Sequence, residues 1–71
     1  MKAEFREAGL THREIEITDL VRKGFDDKEI AGYLAIEHIT ARNHVKSIYK
    51  KLGVHSRAKL VAFLNHQDVT R

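Results

Sequence analysis

Residues 36–54 read I-E-H-I-T-A-R-N-H-V-K-S-I-Y-K-K-L-G-V, and the spacing of their apolar side chains decides the fold. At about 3.6 residues per turn the stretch has two faces. Ala41, Val45, Ile48 and Leu52 share one side, a stripe suited to packing on a core. Ile39, Arg42, Asn43, Lys46 and Lys50 share the nearly opposite side. That outer stripe has long cations, an amide and one exposed branched alkyl group. Such side chains suit phosphates and base edges in a DNA major groove. A solvated basic helix has the same look, so the scaffold must come from the rest of the chain.

Upstream, L-T-H-R-E at 10–14 puts Thr11 at a helix N-cap with Glu14 three residues later, a capping box, and Leu10 as its hydrophobic staple. The predicted first helix runs from about His12 to Lys23. Ile17, Leu20 and Val21 face inward, Ile15 points away, and Gly24 is the left-handed C-cap. Asp26 and Glu29 repeat the box before a short second helix that ends near Tyr33 or Leu34. Its apolar side is Ile30, Ala31 and Leu34. Ala35 and Ile36 then connect tightly to the quoted stretch, whose helix starts near Glu37 or His38. Two helices so joined, the second with an exposed basic face, are the pattern of a helix-turn-helix. The small Ala31 lets the pair cross closely.

Downstream, Gly53 stops the third helix and Val54 returns to the core. Ser56 caps a fourth helix from Arg57 to Asn65 or beyond, with Leu60, Val61 and Leu64 inward. Lys59, Ala62, Phe63 and His66 follow helical spacing on another side. Phe63 beside Ala62 fits either a contact between subunits or a lap over the core edge. The expected organisation is a flexible lead-in or linker remnant at 1–9, a domain at 10–66 and a flexible tail at 67–71. Phe5 in the lead-in is free to fold back onto the domain.

The totals agree with one small all-α domain. At 71 residues the core is marginal, and self-association often helps at this size. Pro is absent and Gly sparse. There is no Cys, so neither a disulfide nor a thiolate zinc site staples the chain, which fits a reducing cytoplasm. No apolar run approaches the roughly 20 residues of a membrane span, and M-K-A-E-F-R-E is no signal peptide. The net charge of +3 is uneven: residues 1–36 sum to −2 and residues 37–59 to +5. A basic block beside an acidic half points to a polyanionic partner.

Catalysis is disfavoured. His12, His38, His44, His55 and His66 are scattered, and none pairs at i, i+4. There is no Gly-flanked Ser, no Cys nucleophile and no Gly-rich phosphate loop. The expectation is a non-enzyme with no cofactor and no metal.

The ordered fragments L-T-x-R-E-x-E-I at 10–17, G-x-x-x-K-E-I-A at 24–31, I-x-x-x-T-x-R-x-H-V-x-x-I-x-x-K-L-G-V at 36–54 and S-R-A at 56–58 resemble the LuxR/FixJ-type (GerE-like) helix-turn-helix DNA-binding domain. The resemblance covers about residues 10–64. It implies four helices, the third in the major groove and the fourth joining a homodimer. By position it implies base reading by Arg42, Asn43 and Lys46, and backbone contacts by Thr40, Arg57, Lys28 and Thr11; Lys50, on the outer basic stripe, is expected to join the backbone contacts. With the dimer on the fourth helix, the side bearing Lys59, Ala62, Phe63 and His66 is the expected interface, and the resemblance assigns Glu16 to a scaffold-bracing ion pair. The chain departs from the pattern at His12 (usually Pro), Thr18 (usually apolar), Glu37 (usually a Ser N-cap) and Ala41 (usually Val). These changes predict lower stability than a typical member has.

The resulting expectation is a bacterial, cytoplasmic transcription regulator that binds double-stranded DNA sequence-specifically as a homodimer on an inverted repeat. RNA polymerase is a further expected partner, and no membrane is. Members commonly sit behind a receiver, as in response regulators, or behind a ligand-binding domain. The rival readings are a helical module that docks an acidic protein and a sigma-type helix-turn-helix. The fourth helix after K-L-G-V-x-S-R disfavours the latter.

Overall fold

The computed structural model describes residues 7–69, with side chains to residue 66. The lead-in residues 1–6, including Phe5, and residues 70–71 lie outside the described residues. Four helices and no strand occur among the described residues: α1 (His12–Arg22), α2 (Asp27–Leu34), α3 (His38–Leu52) and α4 (Arg57–Val69). The chain is an all-α helix-turn-helix domain.

Local chemistry sets most of the boundaries. Both capping boxes form: Thr11 Oγ1 accepts from the Glu14 amide at 3.1 Å, and Asp26 Oδ1 accepts from the Glu29 amide at 2.8 Å. Ser56 Oγ accepts from the Lys59 amide at 3.1 Å and starts α4. At the far ends, Gly24 (φ +98°) and Gly53 (φ +71°) adopt the left-handed region that spares glycine a Cβ clash. Phe25 N–H then reaches back to Leu20 O and Val54 N–H to Tyr49 O, each at 3.0 Å, closing both helices in Schellman fashion.

One fully buried side chain or more from each helix meets at the centre: Ile17, Ile30, Ile48, Leu60 and Leu64. Ala41 and Val45 complete the inner stripe of α3, and Leu10 closes the core beside α1. Leu52, Val54 and Val61 are half-buried against it. α1 is the hub that touches all three other helices, while α2 and α3 make the most extensive contact. Ala31 and Ala41, both buried, lie on that pair, and small side chains permit close approach of the backbones.

One expectation needs correction. Ile15 does not point away; it is half-buried against the core, because α1 has neighbours on more than one side. α4 continues past Asn65 to Val69. Phe63 is half-buried and laps over the core edge, one of the two placements its spacing allows.

Candidate nucleic-acid interface

The rotation of α3 about its axis is set from inside. Ala41, Val45 and Ile48 turn one face into the core. On the flank toward α1, Ser47 and Lys51 lie one turn apart and both reach Glu14. Ser47 Oγ donates to Glu14 Oε2 at 2.7 Å, and Lys51 Nζ donates to Oε1 at 2.8 Å. The Thr11 amide donates to the same Oε1 at 2.9 Å. The Glu14 side chain is only 5% exposed. Burial alone raises a carboxyl pKa, but the Lys51 ammonium, the Thr11 amide and the Ser47 hydroxyl outweigh it and lower Glu14 to about 2. The carboxylate is therefore ionised at neutral pH and clasps α3 to α1.

With α3 so held, Arg42, Asn43, Lys46 and Lys50 are exposed on the outer face. None of the four makes a side-chain hydrogen bond or ion pair among the described residues. α3 has no acidic residue; the nearest, Glu37, is its exposed N-cap and makes no side-chain cap bond. Ile39 shares this face and is 55% exposed. Lys46 and Lys50 also line a shallow groove with Tyr49, Gly53, Val54 and His55. Cations left without internal partners, on a face without carboxylates, present a positive field to solvent.

Other basic residues are engaged within the fold. Arg57 Nη1 pairs with Asp27 Oδ1 at 2.9 Å, and its Nη2 donates to the Phe25 carbonyl. This joins the start of α4 to the start of α2. Lys28 and Arg57 line one recess with Asp26, Asp27 and His38, so two of the expected backbone-contact residues are brought together. Thr11 is exposed, but its hydroxyl is occupied by the α1 cap. Thr40 is half-buried in the first turn of α3. Lys59, Ala62 and His66 are exposed along α4, with the half-buried Phe63 between them.

Glu16, expected to brace the scaffold, does not. It lies exposed beside Arg13 at 3.5 Å. Glu14 has that role. The signal was present in the sequence: Glu14, Ile17 and Val21 follow three- and four-residue steps along the core face of α1, whereas Glu16 falls off it.

A small all-α scaffold that turns a basic helix outward across a helix-turn-helix defines a DNA-binding regulatory domain. Comparison with known proteins agrees. The family model for bacterial regulatory proteins of the luxR family (GerE) matches residues 8–64. The chain belongs to this family. A similar protein is the "Putative HTH-type transcriptional regulator in exeN 3'region" of Aeromonas salmonicida, 45% identical over 58 residues. The match covers 80% of this chain and 30% of that protein, so the chain spans under a third of that relative's length. No described helix is long and apolar enough to cross a membrane.

Proposed function

We propose that this domain binds double-stranded DNA sequence-specifically, with α3 lying in the major groove. Arg42, Asn43 and Lys46 contact base edges; Arg suits guanine O6 and N7, and Asn suits adenine N6 and N7. Lys50, Thr40, Lys28 and Thr11 contact the phosphate backbone and set the register. Arg57 acts mainly as the brace that holds the Lys28 edge in place, with its remaining N–H groups available to a phosphate. Two copies join through Lys59, Ala62, Phe63 and His66 on α4 and read a two-fold symmetric site.

The observation that carries this reading is the outer face of α3, where Arg42, Lys46 and Lys50 flank Asn43 without any internal ion partner among the described residues. Lys51 and Arg57, by contrast, are held by carboxylates within the fold. The test is selection of duplexes from a random library by the purified 71-residue chain near physiological salt. Enrichment of an inverted repeat is expected. Recovery of unenriched sequence, held only by weak salt-sensitive binding, would overturn the proposal and favour a module that docks an acidic protein.

A further inference from the structure

Among the described residues two large apolar side chains stand exposed, Tyr33 and Ile39. Tyr33 is partnered: its ring meets Phe25 edge-on, with centroids 5.7 Å apart. Ile39 has no such explanation. It lies in the first turn of α3, three residues before Arg42, four before Asn43 and seven before Lys46. Those steps put it on the same stripe as the unpaired cations. Half of its surface faces water even though the core runs along the opposite side of the same helix.

We infer that Ile39 is a specificity residue that contacts the C5-methyl group of a thymine in the groove occupied by α3. The inference rests on the DNA-binding reading above and names a further contact within it. The charge of the stripe selects the occupant: Arg42, Lys46 and Lys50 favour a polyanion over an apolar protein surface. In a major groove the thymine methyl is the apolar group on offer, and branched or methyl-bearing side chains are its complement. The first turn of a recognition helix is also where base edges are met. Ile39 is β-branched, so its χ1 is already restricted in a helix and little rotamer freedom is lost on contact. Helical side chains lean toward the N-terminus, which carries Ile39 beyond the base met by Asn43. Four residues of helix span about 6 Å, so the thymine lies within about two base pairs of that base.

The experiment takes the duplex enriched by the wild-type chain and replaces each thymine in turn by deoxyuridine, which deletes only the methyl. Affinities are measured for the wild-type chain and for Ile39→Ala, with helix content checked by circular dichroism. One replacement per half-site is expected to weaken wild-type binding about three- to fivefold, the scale of one buried methyl. Ile39→Ala is expected to bind the thymine and uracil forms of that duplex equally. The inference is overturned if no uracil replacement weakens the wild type, or if the penalty persists in Ile39→Ala. It is overturned equally if Ile39→Ala binds every duplex like the wild type, which would assign the side chain to a protein surface. Failure of the library to yield any preferred sequence would defeat the DNA-reading proposal itself, a distinguishable result.

Discussion

At Glu14 a carboxylate is almost wholly removed from water yet stays charged, because an ammonium, a hydroxyl and a backbone amide replace its hydration. Its pKa falls to about 2 in the fold, against an ordinary value of 4.5. The depressed value means the stabilisation is complete above about pH 4.5 and is lost as pH falls toward 2. A shift of this size corresponds to about 3 kcal/mol. Urea unfolding followed from pH 6 to pH 2.5 is expected to lose most of this difference in the wild type and little of it in Glu14→Gln. At neutral pH Glu14→Gln is expected to cost about 2 kcal/mol, below the value for a fully buried pair because Lys51 is partly exposed. Glu16→Gln is expected to stay within about 0.5 kcal/mol of wild type. Equal effects from the two variants would contradict the assignment of the brace to Glu14.

Residue roles were unevenly legible. Side-chain type and helical spacing were enough to separate Ala41, Val45 and Ile48 from Arg42, Asn43, Lys46 and Lys50, because a helix in contact with a core has one inside. They were not enough to tell a free cation from a clasped one. Lys50 and Lys51 are neighbours of the same chemistry, and only the packing of α1 onto α3 separates them. For the exposed Arg42, replacement by Ala is expected to cost about 1–3 kcal/mol of binding and to relax preference at one base pair. Titration against duplexes varied at each position checks this; unchanged base preference would remove Arg42 from the readout.

At the scale of elements, the caps carried the boundaries. Thr11, Asp26 and Ser56 start helices where their short oxygens can accept a backbone amide, and Gly24 and Gly53 end them. The turn between α2 and α3 is different. Ala35 sits there at φ +57°, ψ +44°, a left-handed conformation that no alanine signals in a sequence. It lets the Ile36 amide bond to Ala31 O at 3.0 Å and so fixes the approach of α3 to α2. The conformation is strained for any residue with a Cβ. Ala35→Gly is expected to stabilise the domain by about 0.5–1 kcal/mol after the added freedom of the unfolded chain is subtracted. A higher urea midpoint with an unchanged m value is the expected readout, and a lower midpoint would contradict the account. Thr18, foreseen as a weak point in α1, is buried but satisfied, since its hydroxyl donates to Glu14 O at 2.7 Å. The sequence left open where α4 stops beyond Asn65, because residues 67–69 are polar or isolated from the apolar pattern.

At the scale of the whole molecule, opposite charges are divided between clasping and display. Carboxylates of α1 and α2 hold Lys51 and Arg57, while the outer cations of α3 are left to solvent. The uneven charge seen along the sequence therefore serves two purposes, which the sum of +5 over residues 37–59 did not distinguish. Assembly belongs to this scale as well. Phe63 contributes to the core edge, so the cleaner probe of the α4 face is the exposed Ala62. Ala62→Glu is expected to keep its helix content and to abolish dimers in sedimentation, with binding to an inverted repeat falling to that of a single half-site. Dimers that survive this variant would place the interface elsewhere.

Every base contact proposed for this domain depends on the outer face of α3 reading sequence. The most direct test compares the affinity of the chain for its enriched duplex with that for a scrambled duplex of the same composition, at one fixed salt concentration near physiological. A ratio of at least about tenfold, reduced toward one by Arg42→Ala, is predicted. A ratio of one in the wild type would mean that these cations bind phosphate alone, and would contradict the account.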